Sequence, residues 1–407
     1  MPIINNARKN IINQSLIKEG NLKALFSLIY HRQPISRSEL SELTDLRPTT
    51  VSSLVDELIQ GGLVISVGTG DTKNIGRKPI MLEINPSGAY FAAFRWCRNG
   101  LQYYLYDLRC NIVEHQTIPI DGAENFARTI YETILNNTFR KIKKQKLLAV
   151  CISIPAMIDN TNYALFSSAV GLKDNKNIIP ELIELFPSLP IIIGNESIFF
   201  TYAEKECGCA KNTKNLFYVN ISDGVGAGII LDGKLYKGST GFAGEFGHTT
   251  IDLNGVECEC GNHGCLENYL SLPSIVKNYS SRAESKGLPP VKSIDEVATA
   301  YSNNDPVASE TIREVAHVLA FGLYNVITLL NIDIVIIGGG IQKFGIQFLD
   351  EVRKHLQPRA GINKMFERCS IAFSTLDNSG ACLGAVRYFI DNIMTISIDL
   401  ENNLYIY

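Results

Sequence analysis

The sequence predicts an α/β protein. A small winged helix-turn-helix occupies residues 1–85, and a two-lobed α/β body fills the rest. Three observations carry this. Short helical periods and two strand-like runs crowd into the first 85 residues. A succession of strands, helix, strand and helix then occurs twice. Within the second repeat lies one segment, GFAGEFGHTTIDLNGVECECGNHGCLE (241–267), where three cysteines fall within eight positions among glycines.

In chain order, a helix over about 7–18 comes first, apolar on one face, with Arg8 and Lys9 as candidate phosphate contacts. A second helix over 21–31 places Leu22, Leu25, Leu28 and Ile29 on one side. Pro34 interrupts the chain. Ser36-Arg37-Ser38-Glu39 then has the form of a capping box, opening a helix that ends near Leu43. After a short turn a third helix runs from Pro48 to Gln60. Proline suits its first turn because no intrahelical hydrogen bond is lost there. Val51, Leu54, Val55 and Leu58 form its inner stripe, leaving Arg47, Thr49, Thr50, Ser52 and Ser53 at its N-terminal end. Small hydroxyls at such a tip can reach base edges and phosphates in a major groove. Strands at 63–67 and 80–84 flank a Gly/Asp-rich turn and form a wing. Its shoulder, Gly76-Arg77-Lys78-Pro79, offers two cations to phosphates or a minor groove.

The body opens with three antiparallel strands (90–94, 101–107, 111–118), a helix over 124–143 and a buried strand at 147–154. A helix at 179–186, a strand at 191–194 and a helix at 197–206 complete the first repeat, expected as a lobe over 86–195 finished by a C-terminal helix at 380–394. The second lobe, 196–379, starts with strands at 216–222 and 229–232 around glycines 224, 226 and 228. It ends with a helix over 307–330, a strand at 332–337 and the turn Gly338-Gly339-Gly340. The 307–330 helix is apolar on more than one side, so it is either deeply buried or a dimer surface. Two such halves with a cleft between them describe a ribonuclease-H/actin-like architecture. The tail 393–407 alternates apolar residues and fits an extra strand.

Thiolates and one imidazole suit tetrahedral zinc, which points to Cys258, Cys260, Cys265 and His248 as a closed structural site. His263, inside the cysteine loop, rivals His248 on spacing alone. Such a site pins Glu245 and Glu267 close together, where they can accept hydrogen bonds from a polyhydroxylated ligand; the bland alternative is that they only orient zinc ligands. Cys207 and Cys209 have no evident partners, and Cys97, Cys110, Cys151, Cys369 and Cys382 read as small core residues.

Composition narrows the class. Apolar content of 45% and charged content of 19% describe a folded chain. Residues 1–80 carry ten Lys/Arg against seven Asp/Glu, while the remainder carries 28 against 34. A basic end on an acidic body fits a nucleic-acid-binding end. MPIINNARKN lacks the apolar stretch of a secretory signal, and no run approaches the ~18 apolar residues of a membrane span. The expectation is a cytoplasmic protein with reduced thiols and no membrane partner.

The winged helix with GRKP, SIPAMID (153–159), GAGII (226–230), GEFGH, CECGNHGCLE and IGGG together resemble the ROK family of sugar repressors and sugar kinases, over nearly the whole chain. The N-terminal unit places the resemblance with the repressor branch, of the xylose-repressor or N-acetylglucosamine-repressor type. It implies His248 as the fourth zinc ligand and a sugar site at Asn195, Glu196, Glu245, His248 and Glu267. Family kinases carry an Asp-x-Gly-Gly-Thr segment where this chain has Arg95-Trp96-Cys97-Arg98-Asn99, and Trp96 is expected to fill space that a phosphate needs. The kinases' Asn-Asp becomes Asn195-Glu196, one methylene longer than a well-placed base tolerates. The expectation is therefore no enzyme: a DNA-binding repressor of carbohydrate-utilisation genes, dimeric or tetrameric on a palindromic operator, with sugar altering operator affinity. The alternatives are a ROK-type sugar kinase with an accessory DNA-binding domain, and a repressor controlled by a protein partner.

Overall fold

The computed structural model describes residues 14–69, 78–98, 100–120, 122–159, 163–167, 169–357, 368–396 and 404–407. Helix α1 (Gln14–Arg32) buries Leu22, Leu25, Phe26 and Ile29. It runs unbroken through Gly20, where the sequence suggested two helices. A mid-helix glycine costs only about 1 kcal/mol, less than the buried stripe that follows it contributes. Arg8 and Lys9 lie outside the described residues.

A two-residue strand, β1 (Ile35–Ser36), leads into α2 (Arg37–Thr44). The predicted capping box is formed: the Ser36 hydroxyl accepts from the Glu39 N–H at 3.3 Å, and the Glu39 carboxylate accepts from the Ser36 N–H at 2.8 Å. Helix α3 (Pro48–Gln60) buries Val51, Leu54, Val55 and Leu58, the stripe read from periodicity. β2 (Val64–Thr69) and β3 (Ile80–Ile84) pair antiparallel, and β1 joins on the other side of β3.

The body begins with the meander β4 (Tyr90–Cys97), β5 (Gly100–Asp107) and β6 (Ile112–Ile118). The expected single helix over 124–143 is instead α4 (Phe126–Thr133), a π-helical turn at Ile134–Thr138, and α5 (Phe139–Lys141). The wide turn carries the fully buried Thr138, whose hydroxyl hydrogen-bonds Tyr103 at 2.9 Å. β7 (Leu147–Ile154) follows, then a small sheet not foreseen from sequence, made of β8 (Met157–Ile158), β9 (Leu165–Ser167) and β10 (Leu172–Asn175). Next come α6 (Ile178–Leu185), β11 (Ile191–Asn195) and α7 (Glu196–Glu206). The second half contains β12 (Leu216–Ile221), β13 (Val225–Leu231), β14 (Lys234–Leu235), α8 (Glu267–Leu270), α9 (Leu272–Ser285), α10 (Ile294–Ser302), α11 (Pro306–Leu330), β15 (Ile334–Gly339), α12 (Gly345–Leu356) and β16 (Ser370–Phe373). The chain closes with α13 (Gly380–Tyr388), a π-helical turn at Phe389–Ile393, and β17 (Leu404–Ile406), the extra strand suggested by the alternating tail.

Two large sheets result, ordered β17-β11-β7-β4-β5-β6 and β14-β13-β12-β15-β16. Their strands alternate by face, as a period of two requires. Phe91 and Ala93 of β4 point to one apolar cluster, while Ala92, Phe94 and Trp96 point to another. The cluster on the outer face of the first sheet involves α4 and α6, and the cluster on the outer face of the second involves α9 to α12. Between the sheets lie α7 and α13, packed on each other, with α13 against β4 and β7 and α7 against β12 and β13. This middle cluster continues through Tyr106 and Leu108 to Leu22, Phe26 and the α3 stripe, so the N-terminal unit shares a core with the layer between the sheets.

Helix α7 can sit directly on β13 because Gly226 and Gly228 carry no side chain: a Cβ there would lie 2.5 Å from the Ser197 hydroxyl and 2.0 Å from that of Thr201. These glycines, expected to form a tight turn, are a packing face on a strand. Among the described residues only α11 is long and apolar enough to cross a membrane; Leu319, Ala320 and Leu323 are buried in the second-sheet cluster, while Phe321 and Leu329 are exposed on its other side.

Candidate functional site

The cysteine-rich segment folds into a loop in which His248, Cys258, Cys260 and Cys265 each offer one ligand atom, all within 4.8 Å of one another. The Cys258 sulfur lies 3.7 Å from His248 Nδ1, and the Cys260 and Cys265 sulfurs are 3.7 Å apart. A tetrahedral ion with bonds of about 2.3 Å to sulfur and 2.0 Å to nitrogen has edges of roughly 3.6–3.8 Å, so the donor set and spacing fit such a metal. The loop closes because Gly264 has φ +64 and passes against the Asp252 carbonyl, where a Cβ would lie 1.7 Å from the oxygen. Isolated bridges, Thr250 with Cys265 and Glu257 with His263, hold its two arms. His263 is outside the four-residue cluster, so the ambiguity left by spacing falls to His248.

Beside this loop a cleft of about 930 Å³ opens between the two large sheets. Asn195, Glu196, Glu245, His248 and Glu267 all line it, together with Arg95, Arg98 and Asn220. Sequence reading missed Asn220. Its signal was a lone polar residue in the apolar strand LFYVNI, all of it buried.

The side chains differ in how much of their hydrogen-bonding capacity is spent. Glu196, buried at the first position of α7, accepts from Arg95 Nε at 2.9 Å and from Asn220 Nδ2 at 2.8 Å. Arg95 also lies over the Phe200 ring, 5.6 Å from its centroid. One triad thus links β4, α7 and β12 across the cleft floor. Above it Arg98 reaches Asp223 at 3.7 Å. Asn195 caps α7, its Oδ1 accepting from the Ser197 N–H at 2.8 Å and its Nδ2 donating to the Ala156 carbonyl at 3.1 Å. Trp96 borders the cleft, but its ring does not fill it. It sits on the opposite face of β4, stacked on Phe126 at 4.4 Å, and Arg95 is the residue that enters. The physical reason is strand alternation: adjacent residues of β4 cannot share a face. Asn99 lies outside the described residues.

On the other wall, the Glu245 carboxyl has no hydrogen-bond partner among the described residues. Burial, with the neighbouring Glu267 charge, pushes its pKa up to about 7. Glu267, at the start of α8, accepts from the Val225 N–H at 2.7 Å through one oxygen.

At the N-terminal unit, Arg47, Thr49 and Ser53 are exposed at the start of α3, and Thr50 is half-buried. Ser52 is partly engaged: its hydroxyl and its carbonyl both accept from Arg37, which also pairs with Asp56 at 2.6 Å. Sequence reading missed Arg37, a cation held on the flank of α3. Lys78 is exposed, and Arg77 lies outside the described residues.

Helix α7 joins the two regions. Beyond the cleft, Tyr202 donates to Asp391 at 2.9 Å, Asp391 accepts from Arg387 at 3.0 Å, and the Arg387 guanidinium stands 4.4 Å from the Tyr30 ring centroid of α1. His31 Nε2 lies 3.9 Å from Asp391, and Glu19 of α1 accepts from the Ile396 N–H at 2.6 Å.

Comparison with known proteins agrees with this architecture. The chain is 29% identical over 388 residues to the xylose repressor of Bacillus subtilis, covering 95% of this chain and 98% of that one. It is also 29% identical over 395 residues to the xylose repressor of Caldicellulosiruptor bescii, covering 94% and 98% respectively. A crystal structure described as a ROK family transcriptional regulator, homolog of the E. coli MLC protein, superposes with a TM-score of 0.79 at 25% identity, covering 92% of this chain and 97% of that one. The ROK family model matches residues 98–392, and the chain belongs to the ROK family.

Proposed function

We propose that this protein is a sugar-responsive, DNA-binding transcriptional repressor of carbohydrate-utilisation genes, with a pentose of the xylose type as effector. The observation that carries the reading is the division of labour in the cleft. The place where a kinase needs room for phosphates is spanned by Arg95–Glu196–Asn220, and the opposite wall presents a Glu245 carboxyl with no internal partner. A half-buried acceptor facing the cleft without a partner favours a ligand rich in hydroxyl donors. With its charge already balanced by Glu196, Arg95 offers no net attraction to a phosphate, which favours an unphosphorylated sugar. Each Glu196 oxygen already accepts one hydrogen bond, from Arg95 or Asn220, which disfavours a role as base, and the xylose-repressor relatives support the non-enzymatic reading.

In this reading one structural Zn2+ per chain occupies His248, Cys258, Cys260 and Cys265 and holds Glu245 and Glu267 in place. Glu245, Glu267 and His248 form the gripping wall, and Asn195 and Glu196 frame the ligand from the α7 side. A cytoplasmic homodimer, or a tetramer built from two such dimers, presents two N-terminal units to a palindromic operator. Arg47, Thr49, Thr50, Ser52 and Ser53 enter the major groove, while Arg77 and Lys78 contact the flanking backbone. Helix α7, about 16 Å long, carries the change in closure to the Tyr202–Asp391–Arg387–Tyr30 contacts and so to α1. A coupling of about 1–3 kcal/mol is enough to alter operator affinity 5–150-fold.

The test is titration with D-xylose, D-glucose and N-acetylglucosamine, reading sugar affinity by calorimetry and operator affinity by fluorescence anisotropy. D-xylose is expected to bind and to release the operator. Glu245→Gln should weaken the sugar roughly 10–100-fold, as loss of hydrogen bonds to a charged group implies, while leaving sugar-free operator binding intact. Normal responsiveness of that variant would place the sugar elsewhere, and ADP formation at kinase-like rates would overturn the repressor reading.

A further inference from the structure

Strand β17 lies beyond residues 98–392, which carry the family match, yet it ends against the cleft. It pairs in parallel with β11, Leu404 beside Ile191 and Ile406 beside Ile193. The pairing then reaches the site itself: Tyr407 N–H donates to the Ile193 carbonyl at 2.8 Å, and the Asn195 N–H donates to the Tyr407 carbonyl at 2.9 Å. Asn195 is the residue that caps α7 at the cleft. The approach needs Gly194, since a Cβ there would stand 2.3 Å from the Tyr407 carbonyl oxygen. The Tyr407 ring packs on Tyr388 of α13, centroids 4.5 Å apart, and Lys237 places its ammonium 3.2 Å from the Tyr407 ring centroid. Lys237 follows β14 and begins the stretch that leads, through Gly244, to Glu245. Tyr407 also lines a small cavity with Phe242 and Gly244 that shares Asn195 and Glu245 with the main cleft.

We propose that Tyr407 is a positioning residue of the effector cleft, a latch that fixes Asn195 through its backbone and, through its ring and Lys237, fixes the loop bearing Glu245. A strand that only completed a sheet edge would need the β11 pairing but not the aromatic–cation contact with the other half of the body. Through the latch the two walls that meet the ligand keep a fixed spacing before it arrives. Preorganisation of this kind raises affinity by lowering the ordering required on binding. The proposal rests on the sugar-binding reading above.

The experiment measures D-xylose affinity by calorimetry in the full chain and in Tyr407→Ala, Tyr407→Phe, Lys237→Met and the Lys237→Met/Tyr407→Ala double variant. Sugar-free operator binding serves as the folding control. Tyr407→Ala and Lys237→Met are each expected to weaken D-xylose about three- to tenfold, the size of a cation–aromatic contact. The double variant should be no weaker than Tyr407→Ala alone, because both remove one contact. Tyr407→Phe, which keeps the ring face, should stay within about twofold of the parent, a rescue that a merely structural role of the tyrosine does not predict. Lys237→Met changes a half-buried loop residue and tests the latch even if Tyr407→Ala fails to fold. Unchanged affinity in Lys237→Met, or additive losses in the double variant, overturns the latch while leaving the sugar reading intact. An unmodified chain that binds no D-xylose, D-glucose or N-acetylglucosamine overturns the sugar reading, and the latch falls with it.

Discussion

The two walls of the cleft solve opposite problems with similar side chains. On the floor and first wall, Arg95, Glu196 and Asn220 satisfy one another, Asn195 caps α7, and Arg98 faces Asp223. On the second wall the Glu245 carboxyl meets no hydrogen-bond partner among the described residues, and Glu267 spends one oxygen on a backbone N–H. A polar group with its partners inside the protein contributes to the architecture; one that faces the cleft without a partner is free to meet water or a ligand. In the proposed reading this difference separates the carboxylates that would sense a ligand from those that support the architecture.

The largest effect is expected from breaking the supporting side. Arg95→Ala leaves Glu196 buried without its cation and should cost about 3–5 kcal/mol in denaturant unfolding. Arg95→Met/Glu196→Gln, which removes both charges, should recover most of that loss. If Arg95→Ala instead leaves stability nearly unchanged and abolishes sugar binding, Arg95 belongs with the sensing wall and the comparison fails.

Removing the metal acts on the other wall. Cys265→Ser, or prolonged chelation, should lower bound zinc measured by elemental analysis and weaken D-xylose about 10–100-fold, because the ligands that orient the Glu245–Glu267 loop are lost. Sugar-free operator binding should persist, since α1 to α3 share the middle cluster and α1 meets α13 through Tyr30 and Arg387, away from the metal loop. Asn195→Ala is a smaller test. Loss of the α7 cap should cost about 1 kcal/mol of stability and only severalfold in sugar affinity; a hundredfold loss of affinity without a stability change would make Asn195 a direct ligand contact.

Much of this was legible in the sequence where a single local rule decides. Ser36 to Glu39 forms its capping box, α3 occupies Pro48–Gln60 with its stripe buried, and the four candidate metal ligands converge. What escaped is set by residues distant in sequence. Glu196 lines the cleft as expected, but nothing local shows that Arg95, 101 positions earlier, also takes one of its oxygens. Trp96 borders the cleft, but the phase of β4 turns its ring to the other face, onto Phe126. Gly226 and Gly228 looked like a turn because the need for bare backbone comes from α7 packing on their face. The tail's alternation indicated a strand but not its neighbour, and only the pairing with β11 brings Tyr407 to the site.

The smallest prediction concerns pH and the join between the walls. Burial lowers the Lys237 pKa to about 8, and its aromatic neighbours Tyr388 and Tyr407 are both pushed up by burial, so the lysine is the group of the three that titrates first. Below pH 8 the ammonium is present and its contact with Tyr407 is intact. As pH rises toward 9 the charge is lost, and D-xylose affinity should fall about two- to fivefold, the size of a half-exposed cation–aromatic contact. Stability should move the other way. With the folded pKa depressed below the unfolded value, the unfolded chain holds a proton that the folded chain has shed between about pH 8 and 10.5, so this group's contribution to stability rises with pH in that window. Lys237→Met should remove both trends. A parent chain whose sugar affinity and stability rise together over pH 8 to 9 would show that Lys237 is merely a buried charge in an unfavourable place, and that the two walls are joined by something other than Tyr407.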